Sequence, residues 1–178
     1  SFVLINNILY SATGDPVLAL GDADDLTLSD SNVFWTVGSG PLVDVDGTTY
    51  ADLAAWQATG QDAFSREFQP SFANVGAGDL RLGAAAEGDA RYAGLSGTGV
   101  GLDVDGESRF FNNPYIGGDE RSALLPLSGT HYVGVQQGGL PAPTYATLAE
   151  AADAVHYIGV SAETTFLLYD DVGAFPVT

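Results

Sequence analysis

The sequence predicts an all-β chain wound as a β-solenoid, with two short α-helices inserted into the coils or capping them. Three observations carry that expectation. Short runs of aromatic and β-branched residues alternate with turn formers, among them 23 Gly and eight Pro, the mark of frequent chain reversal. The opening of the chain repeats itself at a spacing of 25 residues, and fixed periods of this size mark stacked structural units. No apolar run reaches the roughly 18 residues of a membrane span, so the 46% hydrophobic content is expected to fill a core, without membrane insertion.

The repeat is legible residue by residue. Asn7-Ile8-Leu9-Tyr10-Ser11 lies over Asn32-Val33-Phe34-Trp35-Thr36, and Pro16-Val17-Leu18-Ala19-Leu20 lies over Pro41-Leu42-Val43-Asp44-Val45. Each unit thus holds two strand-like runs divided by turn formers, a pattern no helical repeat produces. In a β-solenoid, equivalent residues of successive coils stack about 4.8 Å apart. Asn7 over Asn32 then forms a side-chain amide ladder, structural rather than functional. Ile8 over Val33 and Tyr10 over Trp35 are stacked neighbours.

Two segments carry helical signals. Thr144 can cap a helix in which Leu148, Ala151, Ala152 and Val155 recur at helical spacing, with Gly159 as its stop. The apolar face of that helix needs a partner. A shorter helix near Trp56 has Thr48 or Thr49 as its cap, Leu53 and Trp56 one turn apart, and Gly60 as terminator. Trp56 reads as a core residue rather than a platform for a sugar ring.

Charge narrows the function. Asp and Glu number 23 against five basic residues, all Arg, for a net charge of −18. Such a surface repels nucleic acid and anionic lipid, so neither is an expected partner. Replacement of Lys by carboxylates is also the composition of proteins that work in concentrated salt, where carboxylates keep their hydration. The absence of Cys removes disulfides and thiolate metal sites together. Ser1-Phe2-Val3-Leu4-Ile5 has neither a charged leader nor a cleavage site, so no signal peptide is expected within the chain.

Acidic pairs are the main candidates for chemistry. Asp44 and Asp46 precede Gly47, Asp103 and Asp105 precede Gly106, and Asp22, Asp24 and Asp25 form a third knot. Alternate carboxylates in a loop could converge on Ca2+, which takes roughly six to eight oxygen ligands. Neither pair continues into a full calcium loop with a closing bidentate Glu, and Arg109 competes for Asp103 and Asp105. Solvated turn carboxylates are the competing reading, and calcium is the one cofactor these residues suggest. A glycosidase pair cannot be read from spacing when so many acids guarantee chance pairs. His131 and His156 have no motif that makes either a base or a ligand. Gly97-Thr98-Gly99-Val100-Gly101 lacks the Lys and the following helix that a phosphate loop needs. No residue is nominated as catalytic.

Longer stretches carry a resemblance. Asn6-Asn7-Ile8-Leu9-Tyr10 and Ser31-Asn32-Val33-Phe34-Trp35 look like coil strands, the segment from Gly47 to Gln57 like a short helical insertion, and Gly60-Gln61-Asp62 like the turn after it. Gly78-Asp79-Leu80-Arg81-Leu82, the turn from Asp103 to Arg109, and Ile116-Gly117-Gly118-Asp119-Glu120 follow in the same order. Together they resemble the last coils of bacterial right-handed parallel β-helix repeat proteins, of the pectate-lyase-like superfamily. Gly88-Asp89-Ala90-Arg91-Tyr92-Ala93-Gly94 departs from that family's pattern. The runs Leu127 to Gly134, Thr144 to Ala151 and Thr164 to Tyr169 resemble the strand, covering helix and first coil strand at the entrance of a further β-helix.

The resemblance implies C-terminal coils over 1–125 and a strand-helix-strand entrance over 126–178, hence an excised fragment, a polymer subunit or a processed piece of a larger protein. It implies an extracellular or cell-surface location. For lyase chemistry it would imply an Arg base beside calcium-binding acids, for which Arg66, Arg81, Arg91, Arg109 and Arg121 are the eligible residues. The expected function is non-catalytic: a structural β-solenoid segment of a surface, matrix or filament protein that self-associates head to tail or joins neighbouring domains. The alternative is a carbohydrate-binding or polysaccharide-degrading β-helix, in which Tyr10, Trp35 or Tyr50 stacks on sugars.

Overall fold

The computed structural model describes residues 1–121, 123–135, 141–142 and 144–169. Among these residues the regular structure is mostly strand, with two α-helices. The chain divides into two compact units, the first made of residues 1–88 and 92–123 and the second of residues 89–91 and the segment from Leu124 onward. Residues 170–178 of the predicted entrance lie outside the described residues.

The first unit opens with β1 (Phe2–Ile5), β2 (Ile8–Ser11) and β3 (Leu18–Leu20), and the chain then lays β4 (Leu26–Asp30), β5 (Val33–Thr36) and β6 (Val43–Val45) beside them in parallel. Ile8 pairs with Val33, Leu9 with Phe34, Tyr10 with Trp35 and Ser11 with Thr36, while Leu18 pairs with Val43 and Leu20 with Val45. Every one of these partners stands 25 residues on, the spacing of the sequence repeat. Asn6 and Ser31, with φ of 58° and 54°, turn the chain from β1 into β2 and from β4 into β5. Asn tolerates this left-handed conformation better than most residues, and the two corners lie one repeat apart. Gly40 permits a close approach: a Cβ there would stand 1.8 Å from the carbonyl oxygen of Gly14.

Strand alternation decides the core. Leu18, Leu20, Phe34, Val43 and Val45 join Leu26, Leu42, Leu53 and Trp56 in one apolar cluster, with Leu9 packed against it. Each fully buried aliphatic or aromatic side chain contributes about 1.5–3 kcal/mol, so this cluster holds the two layers together.

The run of parallel pairing is interrupted after β6. Asp46 and Gly47 both have positive φ, 47° and 79°, and β7 (Thr48–Tyr50) returns antiparallel on β6. Two consecutive left-handed residues make the two-residue hairpin turn that Asp-Gly favours. Thr48 and Thr49 are therefore strand residues, which corrects their assignment as helix caps. The cap of α1 (Leu53–Gln57) is Asp52, whose carboxylate accepts the Ala55 N–H at 2.8 Å. A carboxylate both accepts the N–H and complements the positive end of the helix dipole. Leu53 and Trp56 are buried, as the sequence predicts. Parallel pairing then resumes: β8 (Arg66–Glu67) lies on β5, with Val33 opposite Arg66. An antiparallel pair follows, β9 (Phe72–Asn74) with β10 (Asp79–Leu82).

In the second unit β11 (Leu127–Val133) and β12 (Val160–Leu168) pair in parallel, with α2 (Leu148–Tyr157) between them in the chain. The cap of α2 is Thr147, not Thr144: the Thr147 hydroxyl accepts the Glu150 N–H at 3.2 Å, and Glu150 reaches back to accept the Ala146 N–H at 2.8 Å. This Thr-x-x-Glu arrangement satisfies one donor of the first helical turn and one in the residue before the cap. Thr144 instead accepts a hydrogen bond from the Tyr132 N–H. The buried helix residues are Ala151 and Ala154. Leu148 and Val155, predicted on the packed face, stay 42% and 40% exposed and line an apolar groove of about 430 Å3 with Phe166.

Candidate functional site

The Asn pair sits where two parallel layers meet. Asn32 is fully buried; its Oδ1 accepts the Asn7 backbone N–H at 2.8 Å and the Asn7 Nδ2 at 3.3 Å. Its Nδ2 donates to the Leu4 carbonyl, the Ser29 hydroxyl and Asp62 Oδ1. One layer on, Ser65 takes the equivalent place, its Oγ accepting the Asn32 N–H at 2.8 Å. Asp62, also buried, accepts from Ser65 Oγ and from Trp56 Nε1. This is a satisfied polar network that locks adjacent layers and the α1 insertion, a structural role.

The concave site lies on the other side of β2. Tyr10, facing away from the apolar cluster, meets Phe72 of β9 edge to face, centroids 5.7 Å apart. They line a half-open groove of about 580 Å3 with Leu80, Val104 and the charged side chains Asp79, Arg81 and Asp105. Asp79 grips Arg81 with two bonds, Nε to Oδ1 at 2.8 Å and Nη2 to Oδ2 at 2.7 Å, and this guanidinium holds the Asp79 carboxyl down at about 2. Arg81 Nη1 stands 3.7 Å from Asp105 Oδ2, beyond hydrogen-bond length.

Asp103 builds the wall behind Asp105. Its Oδ1 accepts the N–H groups of Asp105 and Glu107 and its Oδ2 that of Glu120, at 3.0, 2.8 and 3.2 Å. Burial raises its carboxyl, but these backbone donors outweigh burial and leave it below the usual carboxylate range. Asp44 has a similar task, its Oδ1 accepting the Gly47 N–H of the hairpin turn at 2.8 Å. The residues proposed for calcium, Asp44, Asp46, Asp103 and Asp105, are thus in two separate tight turns. Asp22 caps the turn containing Asp24 and Asp25. Among the described residues no three acidic or His side chains converge as a metal site.

A buried ion pair closes this region. Arg109 Nε donates to Glu120 Oε1 at 2.9 Å, both side chains being under a tenth exposed, and the guanidinium also donates to the carbonyls of Gly117 and Tyr115. Glu120 Oε2 is buried without a hydrogen-bond partner, and desolvation raises the carboxyl against the opposing pull of Arg109. The other arginines are engaged as well: Arg66 with the Ala93 carbonyl, Arg81 with Asp79, Arg91 with Asp89 and Arg121 with Glu87.

Of the aromatics proposed to stack on sugars, Tyr10 alone lines this groove. Tyr50 packs edge-on against Trp56 at 5.2 Å, and Trp35 is half-buried on β5, its indole N–H without a partner. The sequence does not single out Phe72 or Asp79 as site residues and singles out Arg81 only as one of five arginines eligible as a lyase base, although Asp79 and Arg81 share one face of a strand by alternation. His131 stacks on Phe166 at 5.6 Å and His156 meets Tyr157 edge-on at 4.5 Å. The Gly97 to Gly101 loop borders a smaller cleft with Phe110 and Phe111. The chain matches no family model, no curated protein and no solved structure.

Proposed function

We propose that the chain is a coil segment of a right-handed parallel β-helix, serving as a non-catalytic structural scaffold of an extracellular surface, matrix or filament protein. The observation that carries this reading is the parallel pairing of β1 with β4, β2 with β5 and β3 with β6 at a 25-residue interval, broken only by a register shift at Phe2, which pairs with Leu26. A chain that returns to the same lateral position after each interval climbs by one strand spacing per coil.

Such a stack has ends. Among the described residues β1, β2 and β3 each have a strand neighbour on one side only, and Phe2 and Val3 on β1 are 43% and 56% exposed. Open parallel edges with exposed apolar residues favour addition of another strand layer. Contacts between copies, or with flanking modules, at these edges would run head to tail and need not close. Electron microscopy and light scattering of the purified chain over a concentration series test the reading. Elongated particles that lengthen reversibly with concentration support it, and monodisperse compact monomers at all concentrations and salt levels oppose it.

A second reading, a carbohydrate-binding β-helix, is favoured by one observation: Tyr10 and Phe72 line a groove that also holds charged groups at its wall.

A further inference from the structure

We propose that this groove binds a neutral oligosaccharide, with Tyr10 and Phe72 as the apolar wall and the Arg81–Asp105 gap as the hydroxyl-binding position. The inference rests on the second reading of function and is independent of coil assembly. Its size, about 580 Å3, lies in the range of roughly 300–1,000 Å3 typical of small-molecule sites. Its make-up, aromatic and aliphatic walls with a few polar groups, suits a ring with an apolar C–H face and a polar rim.

The polar geometry selects the ligand's functional group. Arg81 is held by two bonds to Asp79, so its position is set before a ligand arrives. The remaining Nη1 lies 3.7 Å from Asp105 Oδ2, too far for a direct hydrogen bond and close enough for one group to touch both. That group must accept from a guanidinium and donate to a carboxylate, which a hydroxyl does and a carboxylate or ammonium does not. Asp105 is itself preorganised, because Asp103 ties the backbone of Asp105 and Glu107, and the Val104 N–H is tied to the Gly118 carbonyl at 2.7 Å. Two carboxylates against one guanidinium leave the site net negative within a chain of net charge −18. A polyuronate is therefore repelled where a neutral glycan is not.

The test is titration of the intact chain, followed by NMR, with cellohexaose, xylohexaose and mannohexaose as neutral probes and hexagalacturonate as the charged one. Saturable shifts are expected at Tyr10, Phe72 and the Arg81 side chain for at least one neutral probe, with none for hexagalacturonate at low salt. Asp105→Ala, at an exposed turn position, should keep the native spectrum and weaken that binding about tenfold, as expected for loss of one hydrogen bond to a charged group. Tyr10→Ala, which removes one aromatic wall, should abolish saturable binding. Failure of all three neutral probes, binding indifferent to Asp105→Ala, or tighter binding of hexagalacturonate would each overturn the proposal. None of these results bears on filament length in the microscope, so the two readings fail separately.

Discussion

The Asn32 side chain accepts the backbone N–H of Asn7 at 2.8 Å, a bond between residues 25 positions apart that ties one parallel layer to the next. The same amide donates to the Leu4 carbonyl in that earlier layer and to Asp62 in the later one. One buried side chain thus reads the register on both sides of its own layer.

Replacing Asn32 should be costly. Asn32→Ala leaves the Asn7 N–H and Asp62 Oδ1 short of partners in a buried site, at about 1–3 kcal/mol for each group stranded. Urea unfolding should show a lower midpoint. Asn32→Asp should be worse, because it sets a second carboxylate beside Asp62, and a midpoint equal to that of the native chain would remove the ladder from the account.

The buried Arg109–Glu120 pair predicts an asymmetry. Arg109→Met strands the Glu120 carboxylate and should cost about 3–5 kcal/mol, the typical penalty for an uncompensated buried charge. The double variant Arg109→Met with Glu120→Gln should recover part of the loss in a double-mutant cycle.

The pH dependence divides between two carboxyls of opposite sign. Asp79 is depressed to about 2 in the folded chain, so its contribution is present above the ordinary carboxyl value and is lost as pH falls through about 2. Glu120 is raised by burial; the folded state holds its proton more tightly, so its contribution is largest in acid and declines as pH rises through its folded value. Thermal unfolding from pH 2 to 7 should therefore flatten at the acid end in Asp79→Asn. In Glu120→Gln the part of the profile that falls with rising pH above 4.5, its ordinary value, should disappear.

Salt should stabilise this protein. All five arginines are engaged within the chain while the net charge is −18, so most of the carboxylate repulsion is left uncompensated. Raising the salt from 0.1 M to 1 M shortens the screening length from about 10 Å to about 3 Å. The unfolding temperature should rise by several degrees, and assembly should be favoured in the same direction; a fall would show that the exposed ion pairs matter more than the net field.

Much of the first two layers was legible in the sequence because stacking writes itself as a period. Ile8 over Val33 and Leu18 over Val43 need only similar shapes at a fixed interval, and both pairs are present in register. The third layer was hidden because the hairpin and α1 separate Val33 from Arg66 and break the period. Asp46 reads as half of an acidic pair with Asp44, yet an Asp-Gly between strand-like runs is also a hairpin signal. Thr144 and Thr147 both precede the helical pattern, and only Thr147 has a Glu three residues on, Glu150, which decides the cap. The groove had no linear signature, since Tyr10, Phe72, Arg81 and Asp105 meet only through folding.

The climbing parallel register is the central claim, and NMR of the isotopically labelled chain tests it most directly. The account predicts backbone contacts linking Ile8, Leu9, Tyr10 and Ser11 in order to Val33, Phe34, Trp35 and Thr36, a parallel ladder offset by 25 residues throughout. An antiparallel ladder between these segments, or a parallel one at any other offset, would contradict it.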